Sequence, residues 1–147
     1  PSGLLCLPAT VPDADAEALL EKAISFTATL CVELCERHSL HIVLGIAGST
    51  PIVRHGQSSS RLLRELLAEL ALVRGTSDTR WEEVFRELPT AWTSQMRITA
   101  ISPRPLELVS RCPSAIGSAK RRWQQWSRRL VEVNVARGDL NDFFELH

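Results

Sequence analysis

The chain has 147 residues, with 44% apolar and 23% charged side chains, the profile of one globular domain large enough to bury a core without staples. Seventeen basic residues balance seventeen acidic ones, which excludes a global field drawing the chain to nucleic acid or an anionic membrane. No apolar run approaches the roughly 20 residues that span a bilayer, and no signal-peptide pattern is read in it. The expectation is a single domain, 1–147, and, because the first residue is Pro1, one excised from a longer parent.

Gly3-Leu4-Leu5-Cys6-Leu7, short, apolar and ended by Pro8, predicts a buried strand. Pro12 and Asp13 then open a long helix reaching Arg37 and His38. Asp13 or Asp15 suits its cap, and Glu17 and Glu21 suit its positive end. Leu20, Ile24, Ala28, Cys31 and Cys35 recur at three or four residues and trace the face expected to be buried. Cys31 and Cys35 are read as small buried hydrophobes, because zinc sites favour CxxC knuckles with further ligands. The four cysteines show no secreted-type framework, and reduced thiols fit a cytoplasmic setting.

His41 to Ala47 is continuously apolar after its first residue, which predicts a strand covered on both faces, as in a parallel sheet. Gly48 to Pro51 predicts a turn, and Ile52-Val53-Arg54 a short antiparallel edge strand stopped by Gly56. Leu62, Leu63, Leu66, Leu67 and Leu70 then follow helical spacing, ended by Gly75. Thr79 and Glu82 match a capping box ahead of Trp81, Val84, Phe85 and Leu88. Arg97 to Ile101 predicts a strand that Pro103 and Pro105 keep from continuing. A helix from Pro113 to Arg129, a strand from Leu130 to Val135 and a short amphipathic end complete the chain. This alternation predicts an α/β fold with a three-layer, doubly wound, mostly parallel sheet and one short antiparallel edge strand.

In such a sheet, ligands bind beyond the carboxyl ends of the strands, where the strand order reverses. With the first strand central, three loops line that crevice: Pro8 to Asp13, Gly75-Thr76, and Ser102 to Pro105. Thr10, Thr76 and Ser102 are the candidate crevice residues. Gly45 to Thr50 lacks the P-loop lysine and reads as a hairpin turn. There is no GxSxG elbow, so no catalytic residue is assigned. His38, His41 and His55 are read as surface histidines, at the wrong end of the sheet or on its edge, and not as a ligand set.

Lys120, Arg121, Arg122, Arg128 and Arg129 interleave with Trp123 and Trp126. Such runs bind nucleic acid or membranes in some proteins. Here Ala119, Trp123, Trp126 and Leu130 form a stripe suited to packing on a sheet. The basic outer face is then a candidate docking surface for an acidic partner.

The element order, including the short antiparallel third strand, resembles a von Willebrand factor A-like domain. Glu21 to Leu30 is similar to a helix in the C-terminal region of a bacterial family of unknown function, DUF fifty-eight. Leu44 to Gly48, the leucine-rich segment ending Arg74-Gly75-Thr76, Ile101-Ser102 and the closing Asp142-Phe143-Phe144 resemble the same family. The resemblance implies a bacterial parent, often membrane-anchored and commonly encoded beside a MoxR-type AAA ATPase. It also implies a role in assembling or regulating other complexes, with that ATPase as candidate partner.

Many A-type domains hold a divalent cation with an Asp-x-Ser-x-Ser loop after strand one, a threonine, and an aspartate after strand four. Thr76 falls at the threonine position. Leu7-Pro8-Ala9-Thr10 and Ser102-Pro103 stand where the two carboxylate elements belong, and a hard cation usually needs carboxylates among its ligands. Asp13, Asp15 and Asp78 lie nearby in sequence, but their bland role is helix capping. The expectation is a non-catalytic protein-interaction domain with a degenerate metal-ion-dependent adhesion site and no metal or cofactor. Two alternatives stay open: a small-molecule-binding or hydrolytic α/β domain using the same crevice, and nucleic-acid binding through the basic helix 120–129. No membrane contact by the domain itself is expected.

Overall fold

The computed structural model describes residues 2–6, 16–37, 40–48, 50–75, 84, 86–87, 97–103 and 130–134. In chain order these form β1 (Ser2–Cys6), α1 (Ala16–Glu36), β2 (His41–Ala47), β3 (Pro51–Gln57), α2 (Ser60–Ala71), β4 (Arg97–Ser102) and β5 (Leu130–Asn134). The fold is mixed α/β. Its described strands form one sheet in the order β3-β2-β1-β4-β5. β1 pairs parallel with β2 and β4, and β5 pairs parallel with β4. β3 alone among them runs antiparallel, against β2. Among the described residues no helix is long and apolar enough to cross a membrane.

Side chains alternate across a strand, so the registers fix which residues share a face. Ile42, Leu44 and Ile46 of β2 lie on the same face as Ile101 and Val133. They form one buried cluster with Leu20, Phe26 and Leu30 of α1 and Leu62, Leu66 and Leu70 of α2. Each fully buried leucine or isoleucine there contributes about 1.5–3 kcal/mol by leaving water. Val43, Ala47, Ile98 and Ala100 alternate onto the opposite face and are buried as well. Both faces of β2 and β4 are therefore covered, which is why His41 to Ala47 is apolar without alternation.

No glycine or proline interrupts α1, and its alanines, leucines and glutamates favour the helix. Its buried face runs through Leu20, Ala23, Phe26, Thr27, Leu30 and Cys31. This differs from the expected stripe, since Ile24, Ala28 and Cys35 are only partly buried. The reason is geometric. Each step of four residues overshoots a full turn by about 40°, so two consecutive steps of four leave the face, whereas alternating three and four keeps it. Thr27 is admitted to the core because its hydroxyl donates to the Ala23 carbonyl at 2.8 Å, which satisfies its polar atom inside the helix.

The edge strand is longer than Ile52 to Arg54. It spans Pro51–Gln57 and passes through Gly56 without stopping. Gly56 faces α2, where an added Cβ would stand 3.3 Å from Leu62 Cδ1, so its small size lets the helix lie close to the strand. Two residues earlier, on the same face, Arg54 pairs with Glu69 of α2 at 3.1 Å. That pair is partly solvated and adds up to about 1 kcal/mol.

α2 begins where Ser59 accepts a hydrogen bond from the Leu62 N–H at 3.1 Å, satisfying one of the free donors of the first turn. Ser58 donates to the Arg37 carbonyl at 2.6 Å and, through its N–H, to the Leu40 carbonyl at 2.8 Å. The start of α2 is thereby tied to the end of α1. The helix closes at Ala71 with tight bonds from Leu72 and Val73 to Glu69 and Leu70, ahead of the expected stop at Gly75. β4 runs one residue past Ile101, because Ser102 still pairs with Asn134. Val84 is buried. The rest of the capping-box helix, the helix from Pro113 to Arg129 and the segment Leu140 to Leu146 lie outside the described residues.

Candidate interaction site at the carboxyl end of the sheet

From β1 the chain first builds outward to β2 and β3, then crosses to β4 and β5 on the other side. The order reverses at β1, so the crevice of such a sheet stands beyond the carboxyl ends of β1 and β4. Parallel pairing brings Cys6, Ile46, Ile101 and Val133 to neighbouring registers at that edge. Ser102, the last residue of β4, is 6% exposed. It follows Ile101, the partner of Cys6, and alternates onto the face opposite α1 and α2. Pro103, next in the chain, is also buried and offers no carboxylate.

Thr10 and Thr76 lie outside the described residues, as do Asp13, Asp15 and Asp78. The same holds for Lys120, Arg121, Arg122, Arg128 and Arg129. Of the three crevice hydroxyls, the described fold positions Ser102. Among the described residues no group of three or more His, Cys, Asp or Glu side chains is disposed to hold a metal ion.

A separate hollow of about 200 Å³ lies one strand away, between Ile46 and Gly48 at the end of β2, Ile52 of β3, and Glu69, Val73 and Arg74. Its carboxylate, Glu69, is engaged by Arg54. The Arg74 guanidinium donates to the Val73 carbonyl at 3.1 Å. The Arg54–Glu69 pair ties α2 to the hairpin, and the groups named here include no nucleophile–base pair of the kind a hydrolase uses.

No family model, curated protein or solved structure matches this chain.

Cys31 and Cys35 of α1 are thiols that are not joined in a disulfide. Cys31 is fully buried and Cys35 partly so. Burial raises the Cys35 thiol above its ordinary pKa, and a backbone hydrogen bond from Ser59 opposes this. A thiol held protonated is a poor nucleophile and metal ligand, which suits Cys35 to packing; Cys31 belongs to the buried core cluster itself.

At the other end of β2 the structure brings together His41 and His55, two of the three histidines expected to be surface residues and not a ligand set. His41 opposes Gln57 and His55 opposes Val43, so the two histidines are diagonal neighbours on one face of the hairpin. Their ring centres are 5.5 Å apart with planes inclined by 34°. Burial, then the charge of His55, lowers the His41 pKa. The signal that would have found the pair is hairpin register. A strand assumed to stop at Arg54 leaves His55 in a loop, whereas one continuing to Gln57 places it beside His41.

Proposed function

We propose that the chain is a non-catalytic protein-interaction domain of the von Willebrand factor A type, three-layered, with a degenerate metal-ion-dependent adhesion site. The observation that carries this reading is the strand order β3-β2-β1-β4-β5 with β3 antiparallel. That order puts the first strand at the centre and the antiparallel third strand at an edge, as the A-like resemblance requires. Burial on both sides of β2 and β4 supports a second covering layer. At the end of β4, Ser102 keeps a hydroxyl while Pro103 stands where a carboxylate would complete the site. Binding then rests on shape and hydroxyls at the crevice, together with the basic face of 120–129. The partner is a MoxR-type AAA ATPase, met on the cytoplasmic side by a membrane-anchored parent.

Titration of the chain against a purified MoxR-type ATPase, with and without nucleotide, tests this. A saturable complex weakened by R121E/R122E/R128E is the expected result. No complex, or one indifferent to those charge reversals, contradicts the proposed partner and docking surface.

A further inference from the structure

We propose that His41 and His55 form a surface site for a borderline divalent transition-metal ion of the zinc type, bridging β2 and β3 at the open end of their hairpin. The geometry suits it. An ion held tetrahedrally at about 2.0–2.1 Å from one nitrogen of each ring sets the ring centres about 5 Å apart, and here they stand at 5.5 Å. Both rings rise from the same face of adjacent strands in fixed register, so little backbone movement is needed to close on an ion. His55 is exposed and His41 partly so; the His41 Nε2 is closed to solvent, so the ion would reach the pair from the His55 side, with water filling the remaining positions. Imidazole nitrogen selects zinc, nickel or copper over magnesium or calcium, which prefer oxygen.

This site is distinct from the crevice. His41 begins β2 and Ala47 ends it, and a strand rise over those residues separates the two ends by about 20 Å. The ion would act as a clip. β3 is the edge of the described sheet, and a ligand that binds only the paired hairpin stabilises that pairing by mass action.

Calorimetric titration of the 147-residue chain with zinc chloride at about pH 7.5, where imidazole is neutral, tests the proposal. One saturable site per chain is expected. Loss of outer-shell partners alone costs metal sites about 10–100-fold, so removing a ligand in H55Q should weaken binding at least about tenfold. H41Q should do the same. Circular dichroism checks the fold of each variant; should H41Q fail to fold, the exposed His55 position decides. No saturable zinc binding, or an isotherm unchanged in folded H55Q, overturns the proposal.

Discussion

Gly56 and Leu62 meet where the edge strand passes beneath the second helix, with room for a Cβ only 3.3 Å from the leucine Cδ1. That contact is tight, but the neighbour is the tip of a flexible side chain. Gly56→Ala should therefore be close to neutral in urea unfolding, since a small shift of Leu62 is offset by the lower entropy of the unfolded chain. Gly56→Val adds branches that Leu62 cannot clear and should cost about 1–3 kcal/mol. Pairing Gly56→Val with Leu62→Ala should show a coupling that neither change shows alone.

The Ser59 cap makes a second prediction. Its side-chain oxygen accepts from Leu62 N–H, and Ser59→Ala leaves that donor to water. The expected loss is about 0.5–2 kcal/mol, while Ser59→Asp, which keeps the acceptor, should retain most of the stability. Equal losses in both variants would mean that the cap is not what fixes the start of α2.

Burial separates Leu66, in the middle of α2, from Leu72, the residue that follows its end. Leu66 is 0% exposed and Leu72 is 70% exposed. Leu66→Ala should cost about 2–5 kcal/mol through lost burial and the cavity left behind. Leu72→Ala should stay within about 0.5 kcal/mol. Denaturant midpoints of the two variants check the face on which α2 packs.

These residues also show what was legible in the sequence. The leucine spacing of α2 and the unbroken apolar run of β2 identify their elements directly, because burial on one helical stripe or on both sheet faces leaves a periodic mark. A stripe through Ile24 and Ala28 of α1 looks regular in the string because it steps by four, yet such steps rotate off the helix face. Gly56 looks like a stop because glycine weakens a strand on its own account; the reason it is tolerated, Leu62 of a later helix, is a tertiary contact. The His41–His55 neighbourhood was hidden for the same cause, since hairpin register depends on where the strand ends. Among the crevice candidates, Ser102 could be placed at a strand end because the prolines after it punctuate the strand.

Acid should weaken the fold through His41. Burial, followed by the charge of His55, lowers its pKa below the ordinary 6.5, so the unfolded chain binds that proton more readily than the folded one. Among the described residues on this face of β1, β2 and β3, His55 is the other titratable group. The contribution is complete above the unfolded value and is lost as pH falls through about 6.5 toward the depressed folded value. The urea midpoint should thus drop between about pH 7 and pH 5, and His41→Gln should flatten that part of the profile. A wild-type slope retained in a folded His41→Gln variant would assign the effect elsewhere.

The proposed interaction crevice keeps hydroxyls but lacks the carboxylates of a cation site. Calorimetric titration with magnesium tests it most directly, because magnesium prefers oxygen ligands and would report the crevice without engaging the histidine pair. No saturable magnesium heat is expected, and no difference between the parent chain, Thr76→Ala and Ser102→Ala. Saturable magnesium binding in the parent chain, lost in Thr76→Ala, would contradict it.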